Sequence, residues 1–118
     1  MKQYDYIILG AGASGLMLAY RMSQDSYFDD KAILIIDQVK DKGNDRTWCY
    51  WEEGIGEWDE LLTKSWSKVF FGSDLFSKII TISPYIYKMI RSEKLYHNLW
   101  QSIGLKSNIS FEEDTVKT

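Results

Sequence analysis

One hexapeptide constrains this chain more than any other feature: Gly10-Ala11-Gly12-Ala13-Ser14-Gly15, set between an apolar run and a stretch of helical periodicity. The run before it, Tyr6-Ile7-Ile8-Leu9, is short and continuous, the pattern of a parallel strand buried on both faces. After it, Leu16, Ala19, Tyr20 and Met22 recur at helical spacing as far as Ser23, and Asp25-Ser26 supplies turn chemistry. Ala32 to Ile36 is a second buried run, closed by Asp37. Strand, glycine turn, helix and strand together predict a βαβ unit with a right-handed crossover. Ile7, Ile8, Ile33, Ile35 and Ile36 are its expected central-strand residues.

In such a unit each glycine has its own reason. Gly10 permits the tight turn, Gly12 lets the backbone approach a pyrophosphate, and Gly15 lets the helix sit close to the strand. Phosphate oxygens would then rest on the unpaired N–H groups of Gly10 to Gly15 at the positive end of the helix. Asp37, 22 residues beyond Gly15, is placed to accept from the adenosine ribose hydroxyls and to repel the extra phosphate of NADP. The same carboxylate read alone is a solvated strand end. The motif does not choose between FAD and NAD.

Beyond Asp37 the chain changes texture. Lys40 to Asn44 is polar and turn-forming, and the Trp-rich stretch after it carries no clear crossover helix. Glu57 to Lys64 reads as a short helix. Ser67 to Phe71 and Lys78 to Ile82 read as paired strands linked around Gly72-Ser73, with Pro84 ending what precedes it. Tyr87 to Ile90 is an expected strand, Ser92 to Ile103 an amphipathic helix, and Ile109 to Phe111 a further strand of the main sheet. The organisation is therefore a dinucleotide unit (1–37), an aromatic-rich insertion (38–86) and a strand-helix-strand return (87–118).

Bulk properties limit the function classes. Apolar residues make up 45% and charged residues 26%, a globular balance. The net charge of −3 and the scattered Lys and Arg give no basic stripe, which argues against nucleic acid. A single cysteine, Cys49, excludes an internal disulfide, and the absence of a Cys/His cluster argues against a zinc site, so a reducing cytoplasm is expected. With no apolar run of about 20 residues, membrane contact would be peripheral, at the inner face.

Four of the five tryptophans, Trp48, Trp51, Trp58 and Trp66, fall within 19 residues, beside Tyr50. Aromatic faces suit a polyene or a transient carbocation, and they equally suit ordinary packing. Arg46 is placed nine positions beyond Asp37 on a loop expected to pass the cofactor, where its guanidinium could pair with pyrophosphate; a salt bridge with Asp45 or Glu52 is the plainer alternative. Arg91, before the second helix, has a similar expected role towards flavin or phosphate. Glu52 and Glu53 read as a surface pair rather than as catalytic acids, and His97 as a helix residue serving packing or solvation.

Tyr4 to Met22, Asp45-Arg46-Thr47-Trp48-Cys49-Tyr50-Trp51-Glu52 and Pro84 to Arg91 together resemble the N-terminal region of lycopene cyclases. The resemblance implies a Rossmann-like α/β FAD/NAD(P)-binding fold of three layers, truncated here, with a few extra strands from the start of a substrate domain. It implies FAD in its reduced form, with NAD(P)H as reductant, and non-redox cyclisation of lycopene or a related linear carotenoid to β-ionone rings. It adds Thr47 and Trp48 to the cofactor-binding residues and gives Val116 a main-chain contact with adenine. Such enzymes are about three times this long, so the catalytic acid and most of the substrate tunnel are expected outside this sequence. A redox flavoenzyme on the same scaffold and a non-catalytic nucleotide-binding fragment, prone to self-association, are the competing readings.

Overall fold

The computed structural model describes residues 2–117. In chain order the elements are β1 (Tyr6–Leu9), α1 (Ala13–Ser23), β2 (Ile33–Asp37), β3 (Thr47–Glu53), β4 (Lys64–Trp66), β5 (Lys68–Gly72), β6 (Ser77–Thr81), β7 (Tyr85–Arg91), α2 (Ser92–Gly104) and β8 (Ile109–Glu113). Short 3-10 turns occupy Ser26–Phe28 and Asp59–Leu61. The chain forms two compact units, Met1–Gly43 with Leu95–Thr118, and Asn44–Lys94.

The first unit holds a parallel sheet ordered β1-β2-β8. Ile8 pairs with Ile35 and Ile35 with Phe111, so these three side chains share one face. Trp100 of α2 meets Phe111 edge-on at 5.3 Å, and a side chain at Gly15 of α1 would press on Ile8, so both helices lie over that face. Successive right-handed crossovers running the same way across a sheet give this result. Leu16, Ala19, Leu99 and Ile103 fill the layer with Ile33 and Ile35, all nearly inaccessible to solvent.

β2 is buried through Ile33, Leu34 and Ile35 as its apolar run predicts, whereas β1 is not buried on both faces. Ile8 is enclosed, but Ile7 is 54% and Leu9 63% exposed. Among the described strands β1 is an edge, and Ile7 and Leu9 point to the face opposite the helices. The described residues therefore supply the sheet and one helix layer of the expected α/β fold.

The second unit contains an antiparallel sheet ordered β3-β7-β4 and a separate β5-β6 hairpin. The hairpin forms as the alternating sequences predict, and Pro84 sits in the turn that separates β6 from β7. Two expectations change. The Trp-rich segment is no loop: Thr47–Glu53 is a seven-residue strand fully paired with Tyr85–Arg91. The helix expected over 57–64 shrinks to one 3-10 turn, followed by β4. The reason is sheet pairing, since β7 offers a partner edge on each side and long-range strand pairing overrides local propensity. β7 thus belongs to this sheet, and the unit spans residues 44–94 where the sequence placed boundaries at 38 and 87.

Candidate functional site

At the end of β1 the chain turns at Gly10 with φ of 104°, a conformation that side-chain-bearing residues rarely adopt. The Gly10 N–H is tied to the Ile36 carbonyl of β2 at 2.7 Å. Gly12 is the N-cap of α1, and no side chain caps the helix. Since the first intrahelical bond runs from Leu16 N–H to Gly12 O at 3.0 Å, the N–H groups of Ala13, Ser14 and Gly15 stand at the positive helix end without intrahelical acceptors.

Gly12 and Gly15 differ in what holds them as glycine. A Cβ on Gly15 would strike the Gly10 carbonyl oxygen and lie 3.3 Å from Ile8 Cγ2. A Cβ on Gly12 would meet nothing within 4 Å, and its φ of −81° and ψ of −167° suit any residue. Gly15 is therefore required by the chain's own packing. Gly12 is not, and the open space beside it, bordered by helix N–H groups, fits an anionic group such as a dinucleotide pyrophosphate.

Asp37 closes β2 on the same side. Its Oδ2 accepts from the Ala11 N–H at 2.7 Å and lies 2.9 Å from Lys42 Nζ. Its Oδ1 accepts from the N–H groups of Gln38 at 2.6 Å and Val39 at 3.4 Å. Burial pushes the carboxyl up, but the Ala11 N–H, the Lys42 ammonium and the Gln38 and Val39 N–H groups outweigh it and hold the pKa at about 2. Asp37 is thus a fixed anion beside the glycine turn. The Ala11 N–H, expected to face phosphate, is taken by this carboxylate. Asp114 N–H donates to Asp37 O at 3.0 Å, so the stretch leading to half-exposed Val116 leaves the sheet at Asp37. Lys42 escaped the sequence reading because nothing distinguishes it from the other charges of the polar turn.

In the second unit, Arg46, Thr47 and Arg91 gather at one end of the β3-β7 pair. Thr47 is in register with Arg91, and Trp48 with Ile90. Arg46 is tied by its backbone: its N–H donates to Ser92 Oγ at 3.0 Å and its carbonyl accepts from Ser92 N–H at 2.9 Å. Both arginines are exposed. Strand alternation sends Trp48, Tyr50 and Glu52 to one face and Cys49 and Trp51 to the other, so the tryptophans do not form one cluster. Trp51 stacks on Tyr87 at 4.7 Å, and Trp66 lies 5.7 Å from the same ring, an aromatic row across three strands.

Glu52 has a partner that the sequence did not reveal. Lys88, 1% exposed, donates to Glu52 Oε1 at 2.7 Å, Asp59 Oδ1 at 2.6 Å and the Gly54 carbonyl at 2.8 Å. All three ammonium donors are used, and the pairing holds Asp59 below the usual carboxylate range. Glu53 and His97 are exposed.

Comparison with known proteins places this arrangement. No curated protein matches the chain in sequence. Among solved structures, a variant of Pseudomonas aeruginosa PqsL superposes with a TM-score of 0.69 at 14% identity, covering 98% of this chain and 36% of that one. PqsL described as a probable FAD-dependent monooxygenase gives 0.68 at 13% identity, covering 93% of this chain and 32% of that one. PqsL in complex with 2-aminobenzoylacetate gives 0.69 at 12% identity, covering 93% of this chain and 33% of that one. The chain spans about a third of the length of these proteins, and the likeness shows a shared fold. The family model described as lycopene cyclase protein matches residues 5–118, a stretch that takes in both compact units, and the chain belongs to that family.

Proposed function

We propose that this chain forms the dinucleotide-binding part of an FAD-dependent lycopene cyclase, an enzyme that closes the ends of a linear carotenoid into β-ionone rings without net redox change. The observation that carries the reading is Gly12, a glycine with no internal reason to be one, facing open space at an uncapped helix end. The family match and the fold shared with a probable FAD-dependent monooxygenase support FAD as the dinucleotide.

In this role the N–H groups of Ala13, Ser14 and Gly15 hold the pyrophosphate, Asp37 accepts from the adenosine ribose, and the backbone near Val116 meets adenine. Arg46, Thr47, Trp48 and Arg91, at one end of the β3-β7 pair, are assigned to cofactor contact on the family resemblance alone. FAD, once reduced by NAD(P)H, would supply an electron-rich ring that stabilises the cationic stage of ring closure without itself being consumed. The Trp51, Tyr87 and Trp66 faces suit a polyene or a passing cation, each worth about 0.5–2 kcal/mol when desolvated.

Ring closure begins with a proton, and a competent donor needs a carboxyl held above its ordinary range. Asp37 and Asp59 are both held low, and Glu52 is paired with Lys88. The proton donor is accordingly assigned outside these residues, and the chain alone is expected not to cyclise lycopene. Titration of the protein with FAD and with ADP tests the reading: both should bind, and Gly12→Val should abolish binding of both while the protein stays folded. Equal binding by wild type and variant refutes the site.

A further inference from the structure

We propose that Lys42 sets the affinity of the nucleotide site, as a built-in competitor that the adenosine ribose must displace from Asp37. The proposal rests on the dinucleotide reading above.

A carboxylate offers about four lone-pair positions. On Asp37 all four are engaged: Ala11 N–H and Lys42 Nζ on Oδ2, Gln38 N–H and Val39 N–H on Oδ1. A ribose hydroxyl donating to this carboxylate has to take the place of one of these donors.

Three of the donors are main-chain groups. The Ala11 N–H belongs to the glycine turn itself, between Gly10 with its φ of 104° and the N-cap Gly12, and cannot leave without unmaking the phosphate cradle. The Gln38 and Val39 N–H groups directly follow Asp37 in the chain, where their positions are set by the end of β2. Lys42 alone reaches Asp37 by a flexible side chain. It also has somewhere to go, because its ammonium donates to the Val39 carbonyl at 3.1 Å and can keep that bond while turning towards water.

The exchange has a direction. Lys42 in place means a neutralised carboxylate with no free acceptor; Lys42 released means an acceptor facing the ribose. Every nucleotide bound through Asp37 therefore bears the cost of breaking one partly exposed ion pair, and affinity is lower than the same carboxylate would give alone.

The test uses Lys42→Met, which keeps the apolar stem and removes the competing charge, and Lys42→Arg, which keeps a competitor. Calorimetric titration with ADP and with FAD should show Lys42→Met binding roughly three- to fivefold tighter than wild type, and Lys42→Arg within about twofold of it. Without nucleotide, the carbon-13 NMR titration of the Asp37 carboxyl should move upward in Lys42→Met, reporting loss of the pair independently of any ligand. Wild-type binding with Lys42→Met unchanged or weaker overturns this inference alone, the weaker case making Lys42 a direct nucleotide contact. Failure of wild type and both variants to bind either probe overturns the dinucleotide reading and this inference with it.

Discussion

The Ala11 N–H donates to Asp37 Oδ2 across 2.7 Å, joining the glycine turn after β1 to the end of β2. Residues 26 positions apart are thereby held together by one charge-assisted bond, so the glycine turn and the end of β2 are fixed by the same carboxylate.

That bond makes the first unit acid-sensitive. The folded Asp37 pKa is depressed from 3.8 to about 2, so the stabilisation is fully present above the unfolded value and is lost as the pH falls from about 4 to 2. Its size is about 2 kcal/mol. Asp37→Asn should lower stability at pH 7 by up to that amount and flatten the decline between pH 4 and 2. Urea unfolding at several pH values checks this; parallel curves for wild type and variant would contradict it.

The two glycines should separate cleanly. Gly15→Ala forces a methyl group against the Gly10 carbonyl, a backbone group with nowhere to move, and should cost on the order of 1–3 kcal/mol. The Cβ that Gly12→Val adds meets no protein atom within 4 Å, and thermal unfolding should find the variant within about 1 kcal/mol of wild type. A Gly12 variant as unstable as the Gly15 variant would mean that the space beside Gly12 is filled by the chain.

Lys88 should be the most sensitive charged position of the second unit. Lys88→Met leaves Glu52 and Asp59 facing each other without their shared cation and should lower Tm by roughly 5–15 °C. The Asp59 pKa is lowered, so its contribution is present above the unfolded value and falls away in acid; the Lys88 pKa is raised, so its contribution survives past 10.5 and disappears only at still higher pH. Double substitution with Glu52→Gln, followed by calorimetry, should recover part of the loss. A Lys88→Met protein with wild-type Tm would show that the network is not stabilising.

The β5-β6 hairpin exposes Phe70 at 70%, Ile79 at 67% and Leu75 at 98%. Apolar surface so concentrated favours association. Sedimentation velocity should show the weight-average mass rising with concentration for the wild-type chain, and less so for Phe70→Ser/Ile79→Ser. A concentration-independent monomer for wild type would count against it.

Local sequence determined the first unit's frame. Tyr6 to Leu9, the glycine hexapeptide, the Leu16–Ala19–Met22 spacing and Ala32 to Asp37 are contiguous signals whose periods and turn residues agree, and the helix from Ser92 and the strand from Ile109 carry the same local consistency. The Phe70–Ile79 hairpin was legible for the same reason. Tertiary structure alone decided that Thr47–Glu53 is a strand, because its partner edge lies in Tyr85–Arg91, remote in the sequence. It decided that Trp48 and Trp51 face opposite ways, since period-two alternation acts only once pairing fixes the strand. It set β1 at an edge of the described sheet, leaving Ile7 and Leu9 exposed despite their apolar run. And it brought Lys88 to Glu52 and Asp59, and Ala11 and Lys42 to Asp37, because a charge in a sequence has no partner until the chain folds back and desolvation makes one necessary.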